Sequence, residues 1–216
     1  MILIIIFVLL ISVVPGNAVA NSSAKSWNFD VFYDGKNIGE HSFLVTKKLD
    51  KTEVSVNASF DINILFFNAY KYRHTNKEIW ADQCLESINS KTNDNGTEYR
   101  VQGEKKNNIL EVNNNQELFQ FDTCVKTFSY WDKNIVNSHE LLNSQTGKVE
   151  NIVVTSLGTN TIDSVLGKQS ASKYRIQAKT FSIDLWYSVK GEWLALQSTT
   201  EDGNILTYKL KENSND

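Results

Sequence analysis

Proline is nearly missing from this chain. Of 216 residues only Pro15 is a proline, so nothing beyond it carries one. Proline-rich linkers and collagen-like repeats are therefore excluded, and Asn, Asp and Gly must make the turns. A basic excess is missing too: 22 Lys and Arg stand against 25 Asp and Glu, with a formal net charge of −3 and no basic cluster. Without a phosphate-neutralising surface, nucleic-acid binding is not expected. After residue 20 no long apolar run recurs, so the mature chain is expected to have no stable membrane span. Chemical signatures are also sparse. There is no G-x-S-x-G, no C-x-x-C and no glycine-rich phosphate loop, and His41, His74 and His139 lie 33 and 65 residues apart. Local motifs thus point to no nucleophile, metal or cofactor.

The chain does have an apolar opening. Ile2 to Val14 is almost wholly apolar, Pro15-Gly16 breaks it, and Ala18-Val19-Ala20 supplies a small-x-small site. This pattern predicts a secretory signal peptide over 1–20, and the apolar run is too short for a comfortable bilayer span. The remainder, 216 − 20 = 196 residues (21–216), suits a single domain with a sizeable core. A periplasmic or secreted address follows. In that setting Cys84 and Cys124, the two cysteines present, are expected to pair. Such a bond would close a 41-residue loop, and chain entropy puts closure at about 4 kcal/mol. Two separate buried thiols are the alternative.

A period of two dominates the rest. Val54, Val56, Ala58, Phe60, Ile62 and Ile64 share one parity, and Glu53, Ser55, Asn57, Ser59, Asp61 and Asn63 share the other. Side chains of a strand alternate faces, so this reads as one long strand of roughly 33 Å with a dry side and a wet side. His41, Phe43 and Val45 align the same way, and Trp27, Phe29, Val31 and Tyr33 open the pattern. Asp34-Gly35-Lys36-Asn37, Asp94-Asn95-Gly96, Lys190-Gly191-Glu192 and Asp202-Gly203-Asn204 provide turns. Between Ser129 and Gly147 the spacing of Trp131, Ile135, Val136 and Leu142 instead suits a short helix, with capping-box-like Ser129 and Asp132. About ten to twelve strands are counted, and none alternates with long helices. The expected fold is all-β: a large antiparallel sheet rolled into an open or closed barrel, with one short helix plugging an end. A two-sheet sandwich is the alternative.

One strand carries most of the chemistry. Tyr70, Tyr72, His74, Asn76, Glu78 and Trp80 share a parity that the pattern places on the dry face. Filling of the core accounts for the aromatics. A Glu and a His on such a face are unusual, since a buried charge must be paired or neutralised. His74 and Glu78, four residues apart, stand roughly 13 Å from each other on a strand and cannot meet without a bulge. His74 with Tyr72 is feasible, and such a pair can orient a ligand head group but makes no nucleophile.

The run Tyr70-x-Tyr72-x-His74-x₃-Glu78-x-Trp80-x₃-Cys84-Leu85 also belongs to a wider pattern. It includes Tyr130-Trp131, Leu141-Leu142-Asn143-x-Gln145-Thr146-Gly147, Leu185-Trp186-Tyr187 and Trp193-x₂-Leu196. With the opening Trp27-x-Phe29-x-Val31 and Asp34-Gly35-x-x-Ile38-Gly39, these motifs resemble a bacterial family of exported proteins known only as a domain of unknown function. The resemblance spans nearly the whole mature chain and implies a Gram-negative envelope protein without naming a reaction. More distantly, the strand order is similar to another uncharacterised periplasmic family and to open-barrel lipoprotein carriers, which hold acyl chains in a curved sheet. Fold analogy of that kind does not establish function.

Three functional expectations follow. The first is a binding module holding a lipid or other apolar ligand in the concave sheet, with Tyr70, Tyr72, His74, Glu78 and Trp80 lining the cavity and Tyr130, Trp131 and Asn143 near its mouth. The second is an enzyme using His74 with Tyr72 or Glu78 as acid-base groups. The third is a structural or partner-binding envelope protein in which every motif residue is core.

Overall fold

A computed structural model describes residues 22–64, 67–164, 167–200 and 203–211. The signal peptide expected over 1–20 and Asp202 of the last turn lie outside the described residues. Fifteen strands are described, and thirteen form one antiparallel sheet. Its first half is a meander: β1 (Ser23–Tyr33), β2 (Lys36–Lys47), β3 (Thr52–Ile64), β4 (Phe67–Ala81), β5 (Cys84–Asp94), β6 (Thr97–Lys106), β7 (Ile109–Asn113) and β8 (Leu118–Phe121). After an excursion through β9 (Glu140–Leu142) and β10 (Val149–Asn151), a second meander follows. It comprises β11 (Val153–Ser164), β12 (Gly167–Gln177), β13 (Phe181–Ser188), β14 (Trp193–Thr200) and β15 (Ile205–Leu210). The meanders join where β1 pairs with β15, from Phe29↔Leu210 to Tyr33↔Leu206. The sheet order therefore runs from β11 to β15 and then from β1 to β8. Among the described residues the edges β8 and β11 are not paired with each other, so the barrel is open.

The two-residue rhythm explains why the sheet rolls. On β3, Val54, Ala58 and Phe60 are buried, with Val56 and Ile62 partly so, while Glu53, Ser55 and Asn57 face out or half out. A sheet this wide with one apolar face must curl over it to remove that face from water. One buried cluster accordingly joins Trp27 and Phe29 on β1, Trp80 on β4, Val101 on β6, Val112 on β7 and Leu185 on β13. The turns use the residues expected of a chain without proline. Asn95-Gly96 closes the β5–β6 hairpin with φ of 49° and 94°, the left-handed pair that a two-residue hairpin turn needs.

Residues 122–152 do not join the large sheet. They fold into its concave side as a plug. Val125, Ile135, Leu141, Leu142 and Ile152 all enter the core cluster. Cys124 bonds to Cys84 at the start of β5, with Cα atoms 5.1 Å apart, and the Leu85 N–H donates to the Val125 carbonyl at 2.9 Å. The helix expected between Ser129 and Gly147 shrinks to a single 3₁₀ turn, Lys133–Asn137. Asp132, not Ser129, caps it by accepting from the Asn134 N–H. Leu142, apolar at helical spacing from Ile135, instead belongs with Leu141 to the β9–β10 hairpin. The apolar spacing reports which side chains enter the core; with only five helical residues it does not dictate a helix. Val149–Leu157, which reads as one strand, is divided at the buried Ile152 into β10 and β11.

Candidate functional site

Strand β4 runs through the middle of the concave face, and its alternation holds without a bulge from Tyr72 to Ile79 against both β3 and β5. Tyr72, His74, Asn76, Glu78 and Trp80 therefore all face inward, and His74, Asn76 and Glu78 are at most 5% exposed. Four hydrogen-bonding side chains in succession line what alternation alone makes the dry side. Opposite them stand the plug residues Thr127 to Trp131 and the turn Asn143–Gln145. Between sheet and plug lies a cavity of about 210 Å³. Its remaining walls come from His41 and Phe43 on β2, Val54 and Val56 on β3, Phe181 on β13 and Tyr208 on β15.

The polar groups of the β4 ladder have specific partners. Glu78 accepts 2.8 Å hydrogen bonds from Asn76 Nδ2 on one oxygen and from Trp80 Nε1 on the other, with Thr127 as a third partner. Burial pushes the Glu78 carboxyl up from its ordinary value, although those three partners pull the other way. His74 Nδ1 lies 2.8 Å from Thr92 Oγ1, and burial lowers this imidazole to about 4. His41 Nδ1 lies 3.3 Å from the Tyr208 hydroxyl; burial first, then the nearby His74, lowers it to about 3. Both histidines are thus neutral at ordinary pH. Burial likewise raises the Tyr72, Tyr130 and Tyr208 phenols, so all three stay protonated.

The mouth is held by a second network. Tyr72 donates to Gln145 Oε1 at 3.0 Å, and Gln145 Nε2 donates to Asp94 Oδ2 at 3.1 Å. Tyr70 donates to the other Asp94 oxygen at 2.6 Å. Asn143 Oδ1 accepts from the Gln145 and Thr146 N–H groups, which shapes the turn that carries Gln145. At the far end the rings of Trp80 and Trp131 meet edge to face at 5.7 Å. Tyr130 is positioned by its carbonyl, which accepts from the Tyr187 hydroxyl at 2.9 Å.

Of the residues singled out from sequence, Tyr72, His74, Glu78, Tyr130, Trp131 and Asn143 line the cavity together. Tyr70 and Trp80 do not; each supports a wall residue through a hydrogen bond, Tyr70 by way of Asp94 and Trp80 directly to Glu78. The acid-base pairs do not assemble. Tyr72 and His74 stack at 6.2 Å between ring centroids, but their hydrogen bonds run to Gln145 and Thr92, and Glu78 engages Asn76, Trp80 and Thr127. His41 and Asn76 had a parity signal that placed them inside. Gln145, Thr127 and Tyr208 also line the cavity; Gln145 stands in the Leu141–Gly147 motif and Tyr208 alternates with Leu206 and Leu210, while no local pattern marks Thr127.

Three buried polar atoms on cavity-lining side chains have no hydrogen-bond partner: His41 Nε2, Asn76 Oδ1 and Trp131 Nε1. Buried polar atoms are nearly always satisfied; these three, on β2, on β4 and in the plug, are closed off from the cavity as it stands, so a bound molecule meets them only where the wall moves to admit it. Two of them have opposite roles. The indole N–H can only donate and the amide oxygen can only accept.

Comparison with known proteins agrees with this architecture. The crystal structure of a β-barrel-like protein of domain of unknown function DUF1849 from Brucella abortus is similar, with a TM-score of 0.63 at 7% identity. That similarity covers 86% of this chain and 94% of the Brucella chain, and at this identity it concerns the fold alone. Among curated proteins no match was found. The family model described as domain of unknown function (DUF6134) matches residues 29–211, from β1 to the residue after β15. Apart from the first residues of β1, Ser23 to Asn28, the rolled sheet falls inside that range with the plug and every residue of the cavity wall, and the chain belongs to the DUF6134 family.

Proposed function

We propose that this chain is an exported binding protein that holds a small molecule in the cavity between β4 and the plug. The observation that carries the reading is the cavity itself, lined by Tyr72, His74, Asn76 and Glu78 of one strand, with His41 Nε2, Asn76 Oδ1 and Trp131 Nε1 unpartnered just behind its surface. Leaving such atoms buried and unsatisfied costs about 1–3 kcal/mol each, which a ligand with matching groups would recover where its binding shifts the wall enough to reach them. The aromatic and aliphatic remainder of the wall suits an apolar body. At about 30 Å³ per water, 210 Å³ holds roughly seven water-sized groups. That favours a compact molecule over the lipid expected from the strand pattern, because a complete diacyl lipid exceeds the volume of the cavity. Export belongs to the same proposal, and the Cys84–Cys124 bond supports it, since disulfides persist in oxidising compartments.

The test is native mass spectrometry of protein purified from an envelope extract without stripping. The reading expects a stoichiometric adduct of small mass. It also expects Asn76→Leu, which fills the wall and removes the free acceptor, to lose the adduct while remaining folded by circular dichroism. Adduct-free protein from every extract, with ordered water filling the cavity in a crystal structure, overturns the reading.

A further inference from the structure

The charge inventory of the cavity wall is one-sided. Among the described residues no lysine or arginine lines it, and Glu78 is the one carboxylate that does. The rings of Phe128, Tyr130, Trp131, Tyr72 and Phe181 surround the same space. Beside Glu78 on the same strand, Asn76 turns its amide NH₂ toward Glu78 and leaves its carbonyl oxygen unpartnered, although the residue is only 3% exposed. A carboxylate has about four acceptor positions. Asn76, Trp80 and Thr127 occupy three of them. A buried acid, a free amide oxygen and a ring of π faces are together complementary to a positive nitrogen, which pairs with the first, donates to the second and is attracted by the third. An anionic ligand finds no cationic partner on this wall.

We propose that the ligand is a compact organic ammonium ion, a primary or secondary amine on an apolar or aromatic body, bound with its nitrogen against Glu78 and Asn76. The proposal rests on the binding reading above and narrows its chemical class. Trp131 Nε1, the unpartnered donor, would serve a hydroxyl, ether or carbonyl oxygen elsewhere on the same molecule. An amine is recognised here through an ion pair kept out of water. The Glu78 carboxyl, which burial favours in its protonated form despite its three polar partners, gains a counter-charge, and its ionised form is favoured when the site is filled.

The experiment compares two probes of equal size and shape, benzylammonium and benzyl alcohol, by isothermal titration calorimetry on the full folded chain with its disulfide. Benzylammonium is expected to bind about tenfold more tightly or better at neutral pH. Glu78→Gln is expected to bring the two to near parity. A second measurement uses the wild-type protein and needs no variant to fold. The preference for the cation should shrink as pH is lowered and Glu78 gains its proton. The groups around Glu78 (Asn76 and Trp80 on β4, Val54 and Ile88 across the ladders, Thr127 from the plug) do not titrate. The other titratable groups on the wall are His41 and His74, neutral above about 5, and the phenols of Tyr72, Tyr130 and Tyr208. Equal or tighter binding of the alcohol overturns the ammonium assignment and leaves the binding reading standing. A preference that survives both Glu78→Gln and acidification also overturns it. If neither probe binds, the assignment fails, and the binding reading still faces its own mass-spectrometric test.

Discussion

The two histidines of the cavity should make this fold acid-labile well above the pH at which carboxylates protonate. In the unfolded chain an imidazole titrates near its ordinary value of about 6.5. In the fold, burial lowers His41 to about 3 and His74 to about 4. Between the two values the unfolded chain binds more protons than the folded one. The stability these residues allow is therefore complete above about 6.5 and is lost as pH falls toward the folded values. Each pH unit in that window costs about 1.4 kcal/mol per histidine. From pH 6.5 to about 4.5 the two together remove about 5 kcal/mol, a large part of the 5–15 kcal/mol typical of a domain. Glu78 works in the opposite sense. Its folded value is raised, so the fold takes up that proton first and gains some stability over part of the same range. For a chain of this size the histidine loss alone corresponds to a fall in Tm of about 10 °C or more, from which the Glu78 gain subtracts. Differential scanning calorimetry at pH 7.5 and 4.5 measures it. His74→Asn, which keeps a polar group for Thr92 and cannot be charged, should remove roughly half of the slope. A Tm that moves by less than about 3 °C, or a slope unchanged in His74→Asn, would refute the claim that neutral imidazole is buried here.

Two further perturbations test the frame that shapes the cavity. Thiol labelling of the denatured, unreduced protein should find no free thiol, and Cys84→Ala with Cys124→Ala should cost about 4 kcal/mol, the closure entropy of a 41-residue loop, read as a lower urea midpoint; an unchanged midpoint would mean that core contacts alone hold the plug. Gly39→Ala should lower stability by about 3 kcal/mol or more, because at φ +143° a Cβ would stand 2.0 Å from the Ser59 carbonyl oxygen on the neighbouring strand; near wild-type melting would show that β2 and β3 part there at little cost.

The fold was legible because its physics is local. Inside and outside on β2, β3 and β4 follow from parity, and Asn95-Gly96 specifies its own hairpin turn, so the large rolled sheet could be read residue by residue. The plug was less legible because its shape is set from outside. Ile135, Leu141 and Leu142 are buried against strands remote in sequence, and residues 122–152 obey no single period, so a helix was the natural reading of spacing that in fact serves a 3₁₀ turn and a short hairpin. The same division runs through the site. The β4 side chains announced themselves by parity. Tyr208 reaches the cavity because β15 returns to pair with β1, and Gln145 because the plug turns back toward Asp94. Both placements depend on closure of the whole chain.

A strand that fills a core need not carry Tyr72, His74, Asn76 and Glu78 in succession, since aliphatic side chains at those four places would bury more apolar area without desolvating a carboxyl or an imidazole. The register of β4 is secured by its neighbours on both sides, so the ladder is not required to fix the pairing. Nor does it form a closed network, which could repay desolvation by specifying a unique core, because Asn76 Oδ1 is left over. Polar residues that weaken a core and share one cavity wall are the arrangement that the proposed binding role asks for. Local rules of folding tend to be broken where a protein has another task, and in this chain the breach is concentrated on one face of one strand.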